Sequence, residues 1–454
     1  MRGARPSRLS SAVVGVPDGP ALAVAIHRTH SDLVGHHGRR VASRLFTTPK
    51  EPDVALDIFQ EKGVPLDRQV FTWKDLVRRP YSKLDDDAFT RVRVIYMNGI
   101  MADALRTKHL MARINGSLRE PLARIRRVEH FEQTLINWLN PPDQNPLETT
   151  LGFEQVAIEV TASVALREPD PYLAQTYRFG LLEDFDHLYR YSALYDRLEG
   201  KDPNTITQSY TDIIPGRATS VEHRHPVDDL RRPYDKASAH PLTKIHAISI
   251  TAAENQTHDY YMTVGPFFTD PVARQLYAEI AAIEEQHVTQ YESLLDPSET
   301  LLEKWLLHEA AEVYNFYSCL AYEGNPRIKE IWQRFLDYEL GQLHFVKDLF
   351  ERVEGRDAAS VLPRTLPEPV EYKQHREFVR KTLNAEEDLA SNGPDYVRMA
   401  DLPADHRSRV YRDQLNSEGS PSETVAAGYQ WTPGTELAAR VQRMGSTFAG
   451  RKVH

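Results

Sequence analysis

Residues 170–194 read DPYLAQTYRFGLLEDFDHLYRYSAL, and residues 270–294 read DPVARQLYAEIAAIEEQHVTQYESL. Each stretch begins with Asp-Pro and then carries a tyrosine, a carboxylate, a histidine, a second tyrosine and a leucine at the same offsets. A glutamate also stands 30 residues before the carboxylate in both copies. The repeated side chains are Glu154, Asp184 and His187 in the first copy, and Glu254, Glu284 and His287 in the second.

The spacing of these residues predicts a dinuclear metal site. A carboxylate and a histidine three positions apart share one face of a helix. A glutamate 30 residues upstream returns beside them if two helices and a turn intervene. The helix face around Asp184 also carries Tyr177, Leu181 and Leu188, so the carboxylate points toward a core, where it needs a compensating charge. Four carboxylates and two imidazoles from two hairpins are the ligand set of a dimetal four-helix bundle.

The helix starts agree with this placement. Asp170 and Asp270 are favourable N-cap residues, and Pro171 and Pro271 occupy the first helical position, where proline is preferred. The periodicity predicts eight long helices. Their expected bounds are 85–114, 121–139, 147–168, 171–199, 242–264, 271–295, 298–323 and 326–353.

At this point the chain resembles the ferritin-like superfamily, in particular its rubrerythrin-like members, over about residues 145–296. The resemblance implies a bundle of two repeated hairpins in which Glu154, Asp184, His187, Glu254, Glu284 and His287 bind two iron ions, or alternatively manganese ions. It also implies that one carboxylate from each half bridges the metals. Position 184 departs from the family by being Asp rather than Glu, which leaves Glu183 open as an alternative ligand on a face that looks more hydrated.

Some residues near the motif have two open interpretations. Tyr191 and Tyr291 lie four positions after the histidines, so they either hydrogen-bond to the ligand carboxylates, as candidate electron or proton donors, or simply pack. His258 is a seventh ligand, a hydrogen-bond partner of a ligand, or a core histidine. His223 and His225 are expected to be solvated in a polar loop.

Weaker copies of the motif flank the two strong ones. Asn325-Pro326 is followed by Trp332, Glu339 and Gln342 at the same offsets, and Glu309 stands 30 residues before Glu339. Glutamine replaces histidine there, and in the copy after Glu120-Pro121 the ligand positions hold Thr134 and Asn137. Both outer hairpins are therefore expected to be structural and metal-free.

These observations predict an all-α protein in five parts. The parts are an irregular N-terminal segment at 1–84, a metal-free helical hairpin at 85–140, the metal-binding bundle at 145–296 with a long connector at 200–241, a degenerate helical hairpin at 298–354, and a C-terminal arm at 355–454. One helix is expected in the arm, at 370–390. The arm is either a disordered extension or, as Tyr429, Trp431 and the Leu437/Val441 spacing suggest, an ordered segment that docks on this or a neighbouring subunit. We also expect a homo-oligomer.

Composition excludes several other classes of protein. A net charge of −10 and a pI near 6.0 argue against nucleic-acid binding. The single cysteine, Cys319, excludes an internal disulfide framework and a rubredoxin-like electron-transfer module. The sequence shows no membrane-spanning stretch and no signal peptide, so a cytoplasmic location without membrane contact is expected.

The resulting functional hypothesis is an oxidoreductase acting on O2 or hydrogen peroxide at a carboxylate/histidine di-iron site. An external electron donor or a small organic substrate is the expected partner. The alternatives are a dimanganese catalase, an iron-oxidising or storage protein, and a non-catalytic helical interaction protein with a structural metal site.

Overall fold

Helices dominate residues 55–434, the part of the chain that the computed structural model describes. The α-helices there are α1 (Trp73–Leu76), α2 (Ala88–Ile114), α3 (Arg119–Asn137), α4 (Pro146–Arg167), α5 (Pro171–Glu199), α6 (Asn204–Thr207), α7 (Thr219–Glu222), α8 (Pro241–Val264), α9 (Pro271–Glu292), α10 (Leu301–Tyr322), α11 (Pro326–Glu354), α12 (Arg376–Glu386), α13 (Arg407–Leu415) and α14 (Pro421–Ala426). The described strands are one antiparallel pair, β1 (Leu389–Asn392) and β2 (Asp395–Arg398). The prediction of an all-α protein is confirmed, and each of the eight long helices lies close to its expected range.

The helices begin where the sequence predicts. The Asp170 carboxylate accepts hydrogen bonds from the backbone N–H groups of Tyr172 and Leu173, and Pro171 is the first residue of α5. Asp270 caps α9 in the same way through the N–H of Ala273. Each cap satisfies backbone donors that have no partner inside the helix.

The eight long helices pack as four hairpins, α2 on α3, α4 on α5, α8 on α9 and α10 on α11. Four of them, α4, α5, α8 and α9, are called the central helices below; α4 packs on α5, α8 packs on α9, and the two pairs also contact each other. The other four, α2, α3, α10 and α11, are called the outer helices, and α2 and α10 contact both each other and α8. Large aromatic side chains such as Trp305 and Trp332 fill the core of the outer helices with no exposed surface.

The first described residues cross the outer helices at Gly341. An ideal Cβ on Gly341 would lie 1.8 Å from the carbonyl oxygen of Val64, a backbone atom that cannot move aside alone. The same crossing is closed by a hydrogen bond from the N–H of Val64 to the carbonyl of Asp337.

We therefore expect Gly341→Ala to lower the free energy of unfolding by about 1–3 kcal/mol or more, because overpacking forces backbone shifts. The matched control is Gly324→Ala, whose new Cβ would meet no atom within 4 Å. Urea titration of both variants checks this, and equal midpoints would contradict the close approach.

The connector at 200–241 is largely buried, in contrast to the solvated loop that the sequence suggests. Arg217, Glu222, His223 and Arg224 are at most 5% exposed. The expectation that His223 is solvated is thus wrong, whereas His225 is half-buried. The composition is polar because these side chains bind one another and the central helices.

The described part of the C-terminal arm docks on the central helices. Helix α12, inside the range predicted at 370–390, packs on α5, and α14 packs on α5 and α9. The Tyr429 ring packs at a tilt against the Tyr189 ring, with centroids 5.3 Å apart, and Trp431 donates a hydrogen bond to the side chain of Asn204. Leu437 and Val441 lie outside the described residues, as do residues 1–54 of the predicted N-terminal segment.

The β1–β2 hairpin is an element that the sequence analysis missed. Its strands have four residues each, which is too short for an alternating pattern to stand out. Among the described residues, no helix combines the length and the apolar character that crossing a lipid bilayer requires.

Candidate metal site

The six side chains singled out in the sequence converge between the central helices. Helix α4 contributes Glu154, α5 contributes Asp184 and His187, α8 contributes Glu254, and α9 contributes Glu284 and His287. Each of these residues is at most 2% exposed. The i, i+3 spacing places each carboxylate/histidine pair on one helix face, so that both pairs point between the helices.

The potential ligand atoms form two adjoining groups that share Glu284. Atoms of Asp184, Glu254, Glu284 and His287 lie within 4.8 Å of one another, and so do atoms of Glu154, His187 and Glu284. The groups mix the two hairpins, because Asp184 lies with His287 rather than with His187. Glu284 belongs to both groups, so it would be the ligand that two ions share if each group held one.

Both histidines turn one nitrogen toward this cluster and the other toward an outer carboxylate. His187 Nδ1 is 3.1 Å from Glu284 Oε1, and its Nε2 is 3.0 Å from Glu222 Oε2. His287 Nδ1 is 3.3 Å from Asp184 Oδ1, and its Nε2 is 2.7 Å from Glu183 Oε2. An outer carboxylate of this kind fixes the tautomer and orientation of a metal-binding imidazole.

Glu183, the alternative ligand in the sequence, binds arginines and His287 instead. Its Oε1 lies 2.5 Å from Arg224 Nη1 and 3.3 Å from Arg217 Nη1. Burial opposes the charged form, but Arg224, His287 and Arg217 together lower the pKa of Glu183 below its ordinary value. The prediction of a more hydrated face was wrong, since Phe179 and Arg190 are at most 4% exposed.

Many oxygens of the cluster lack a hydrogen-bond donor among the described residues. They are Glu154 Oε2, Asp184 Oδ1 and Oδ2, Glu254 Oε2 and Glu284 Oε2, and each is fully buried. Buried polar atoms are rarely left unpaired, because each costs about 1–3 kcal/mol. A cation that coordinates these oxygens would remove that cost.

The pKa directions likewise show that the negative charge of this cluster is not balanced by the side chains around it. Burial raises the pKa of Glu154 well above its ordinary value, and neighbouring Glu284 adds to the effect. Burial, followed by the charge of Asp184, likewise raises the pKa of Glu254. In His187, burial acts against the charged form, but Glu222 and Glu284 outweigh it and raise the pKa. The cluster thus needs positive charge, as protons or as metal ions, and its mixed oxygen and nitrogen donors fit iron or manganese.

Tyr191 and Tyr291 pack beside the site rather than hydrogen-bonding to its carboxylates. Among the described residues, neither hydroxyl has a hydrogen-bond partner. Tyr191 contacts the rings of Tyr261 and Tyr277, and Tyr291 lies 6.1 Å from the His287 ring. Gly180 makes room for Tyr291, because a Cβ there would lie 2.0 Å from the tyrosine hydroxyl.

Tyr261 makes the carboxylate contact that was considered for the other two tyrosines. Its hydroxyl donates to Glu154 Oε1. Tyr261 stands seven positions after Glu254, two helical turns along the same face, so the spacing could have identified it. Glu222, by contrast, comes from the short helix α7 in the connector, and no periodic pattern marks it. His258 does not join the site, since its nearest acidic groups are Asp259 and the exposed Glu285.

A cavity of about 220 Å³ borders the outer carboxylates of the site. Glu183 and Glu222 form part of its wall together with Phe179 and Arg217, and residues of the C-terminal arm such as Leu389 and Leu402 close it. Glu222 lies between this cavity and His187, and Glu183 lies between the cavity and His287.

The search of protein-family models gives no match, and the comparisons with curated proteins and with solved structures give no significant similarity. Inferences about the function of this chain therefore depend on the residues and geometry described above.

Proposed function

We propose that the chain is a ferritin-like dinuclear metal protein and an oxidoreductase that acts on O2 or hydrogen peroxide. In this proposal the central helices form a four-helix bundle of two repeated hairpins. Glu154, Asp184, His187, Glu254, Glu284 and His287 hold two iron ions, with manganese as the alternative. The observation that carries the proposal is the shared position of Glu284 between two groups of fully buried ligand atoms.

A structural origin for the cluster has less support. A duplicated hairpin kept only for packing would have no use for four buried acids, since each ionised carboxylate costs several kcal/mol to bury. The acids are also not paired with arginines; the arginines Arg217 and Arg224 bind Glu183 outside the cluster. The unpaired carboxylate oxygens of the cluster therefore lie near one another without a hydrogen bond from any described arginine or lysine.

A pair of redox-active ions held by carboxylates supplies the capacity to bind and reduce an oxygen species between them. The chain contributes the surroundings of that chemistry. With metal bound, Glu222 and Glu183 would accept the Nε2–H of His187 and His287, and each Nδ1 would then be free to bind an ion. Burial excludes water from the reacting centre.

Tyr261 adds a proton position next to the site. Its hydroxyl donates to Glu154 Oε1, and burial raises the pKa of Tyr261 well above its ordinary value, with Glu154 adding to the effect. The tyrosine therefore remains protonated at neutral pH and can hold Glu154 in place. The neighbouring cavity, whose wall combines apolar side chains with four arginines and two glutamates, has room for a small organic substrate or reductant.

The test combines elemental analysis of the purified chain with assays of O2 and peroxide consumption. We expect about two equivalents of iron or manganese in the central site and turnover with one of the two oxidants. Peroxide disproportionation without an added reductant would identify a catalase. Metal without turnover would instead indicate a structural site, and uptake of many iron ions per chain would indicate storage; either result would overturn the oxidoreductase.

A further inference from the structure

The outer helices contain a second cluster of buried charged side chains. Helix α2 contributes Lys108, α3 contributes Glu129 and Glu132, α10 contributes Glu309 and Glu312, and α11 contributes Glu339 and Gln342. All seven residues are at most 1% exposed. Five carboxylates are thus buried near one ammonium group, which leaves a formal excess of negative charge.

Lys108 accounts for only part of this cluster. Its Nζ lies 2.9 Å from Glu309 Oε1 and 3.0 Å from Glu312 Oε1, and it also donates to Glu129 Oε1. Each contact satisfies one oxygen of a carboxylate and leaves the other free. Glu132 and Glu339 receive hydrogen bonds from Gln342 Nε2, at 3.3 Å and 3.4 Å.

The remaining oxygens have the same unpaired character as those of the central site. No described residue donates a hydrogen bond to Glu129 Oε2, Glu132 Oε1, Glu309 Oε2, Glu312 Oε2, Glu339 Oε2 or Gln342 Oε1. The amide oxygen of Gln342 is informative because protonation of a neighbouring carboxylate satisfies it only if that proton points toward it. Gln342 Oε1 is thus a further unpaired buried acceptor beside the acids.

The geometry fits one cation. One oxygen each from Glu129, Glu312 and Glu339 lies within 4.8 Å of the other two. Oxygens bound to a common Mg²⁺ or Mn²⁺ at about 2.0–2.2 Å span about 3–4.4 Å, so only a small contraction is needed. The ligands are all oxygen, which favours Mg²⁺, Mn²⁺ or Ca²⁺ over zinc or copper.

We propose that the outer helices bind a single hard divalent cation, of the Mn²⁺ or Mg²⁺ class, through Glu129, Glu312 and Glu339, with Lys108 beside it as a second positive charge. The site is independent of the function proposed for the central helices. It differs in kind from the central site, since its ligands include no imidazole and an ammonium group lies among its carboxylates.

This proposal changes the sequence-based expectation that the outer hairpins are metal-free. That expectation compared Glu309, Glu339 and Gln342 with the ligand positions of the central hairpins, and the glutamine argued against a metal. Glu129 and Glu312 do not follow the 30-residue spacing, so the comparison did not include them. Glu129 on α3 and Glu312 on α10 reach the cluster because of how these helices pack in the folded chain.

The test uses the full chain, stripped of metal by a chelator and dialysed against Mn²⁺. We expect Glu284→Ala, which disables the central site, to retain about one equivalent of Mn²⁺ with the electron paramagnetic resonance signal of an isolated ion. Glu339→Gln should lose that ion and keep the central ones. The control Glu330→Gln changes an exposed residue of the same helix and should bind as the wild-type chain does.

Lys108→Met separates a metal site from a cluster neutralised by lysine and protons. If the proposal is right, removing the ammonium group should tighten Mn²⁺ binding by about tenfold or more and leave the stoichiometry unchanged, because a like charge is removed from beside the ion. The proposal is overturned if Glu284→Ala binds no Mn²⁺, or if only the Lys108→Met chain acquires the extra ion, since the ammonium would then occupy the position of the cation.

Discussion

Glu284→Ala is expected to remove about two equivalents of iron or manganese per chain and to reduce turnover of O2 or peroxide by more than about 100-fold. Glu284 contributes to both groups of ligand atoms, with Oε1 facing His187 and Oε2 facing His287. Loss of an outer carboxylate alone typically costs about 10–100-fold in metal affinity or activity, so loss of a shared ligand should cost more.

The matched control for this variant is Glu285→Ala. Glu285 is the next residue of α9, and its side chain is 60% exposed, so metal content and turnover should be unchanged. Circular dichroism of both metal-free variants establishes that the helices still form. Retention of both metal equivalents by folded Glu284→Ala would exclude the shared-ligand arrangement.

Glu183→Ala is expected to lower the free energy of unfolding of the metal-free protein by about 3–5 kcal/mol, because it leaves buried cations without their anion. Arg217, Arg224 and His287 all bind the Glu183 carboxylate, which has no exposed surface. After this substitution Arg224 still forms its ion pair with Asp229. Arg217 loses its ion pair with Glu183, and no second ion pair of Arg217 is seen among the described residues.

The same variant should also weaken metal binding by about 10–100-fold, since His287 loses the group that orients it. Urea titration and metal competition with a chelator measure the two effects separately. Glu183→Gln keeps the shape of the side chain and removes its charge. In this variant the loss in metal-binding free energy should be smaller than the loss in the free energy of unfolding. Full metal affinity in Glu183→Ala would mean that His287 is oriented by something other than this carboxylate.

The helices and the convergence of the six central side chains could be predicted because local rules govern them. Asp170 and Asp270 mark the starts of their helices because they are N-cap residues. Asp184 and His187 share a helix face because of their spacing, whatever surrounds them. A hairpin of known length then determines which residue of the preceding helix lies opposite. The duplication made the pattern visible, because the same offsets recur after 100 residues.

The outer carboxylates and the second cluster depend on tertiary structure and could not be predicted in this way. Glu222 reaches His187 only because the connector folds back over α5, a path that its polar composition does not reveal. Lys108 meets Glu129 of α3 and both Glu309 and Glu312 of α10, so these contacts draw on three helices and no single helix carries that pattern. Glu183 was ambiguous because its role depends on Arg217 and Arg224, which are distant in sequence.

The docking of the C-terminal arm has a consequence for how small this protein could become. Arg217 binds the carbonyl of Glu386, and Asp228 binds the N–H of Gly393 and the hydroxyl of Ser408. These contacts hold the connector in place, and the connector supplies Glu222, which contacts the imidazole of His187. A version trimmed to the four central helices would keep all six proposed ligands but lose Glu222, which contacts His187, and the arm that holds the connector in place.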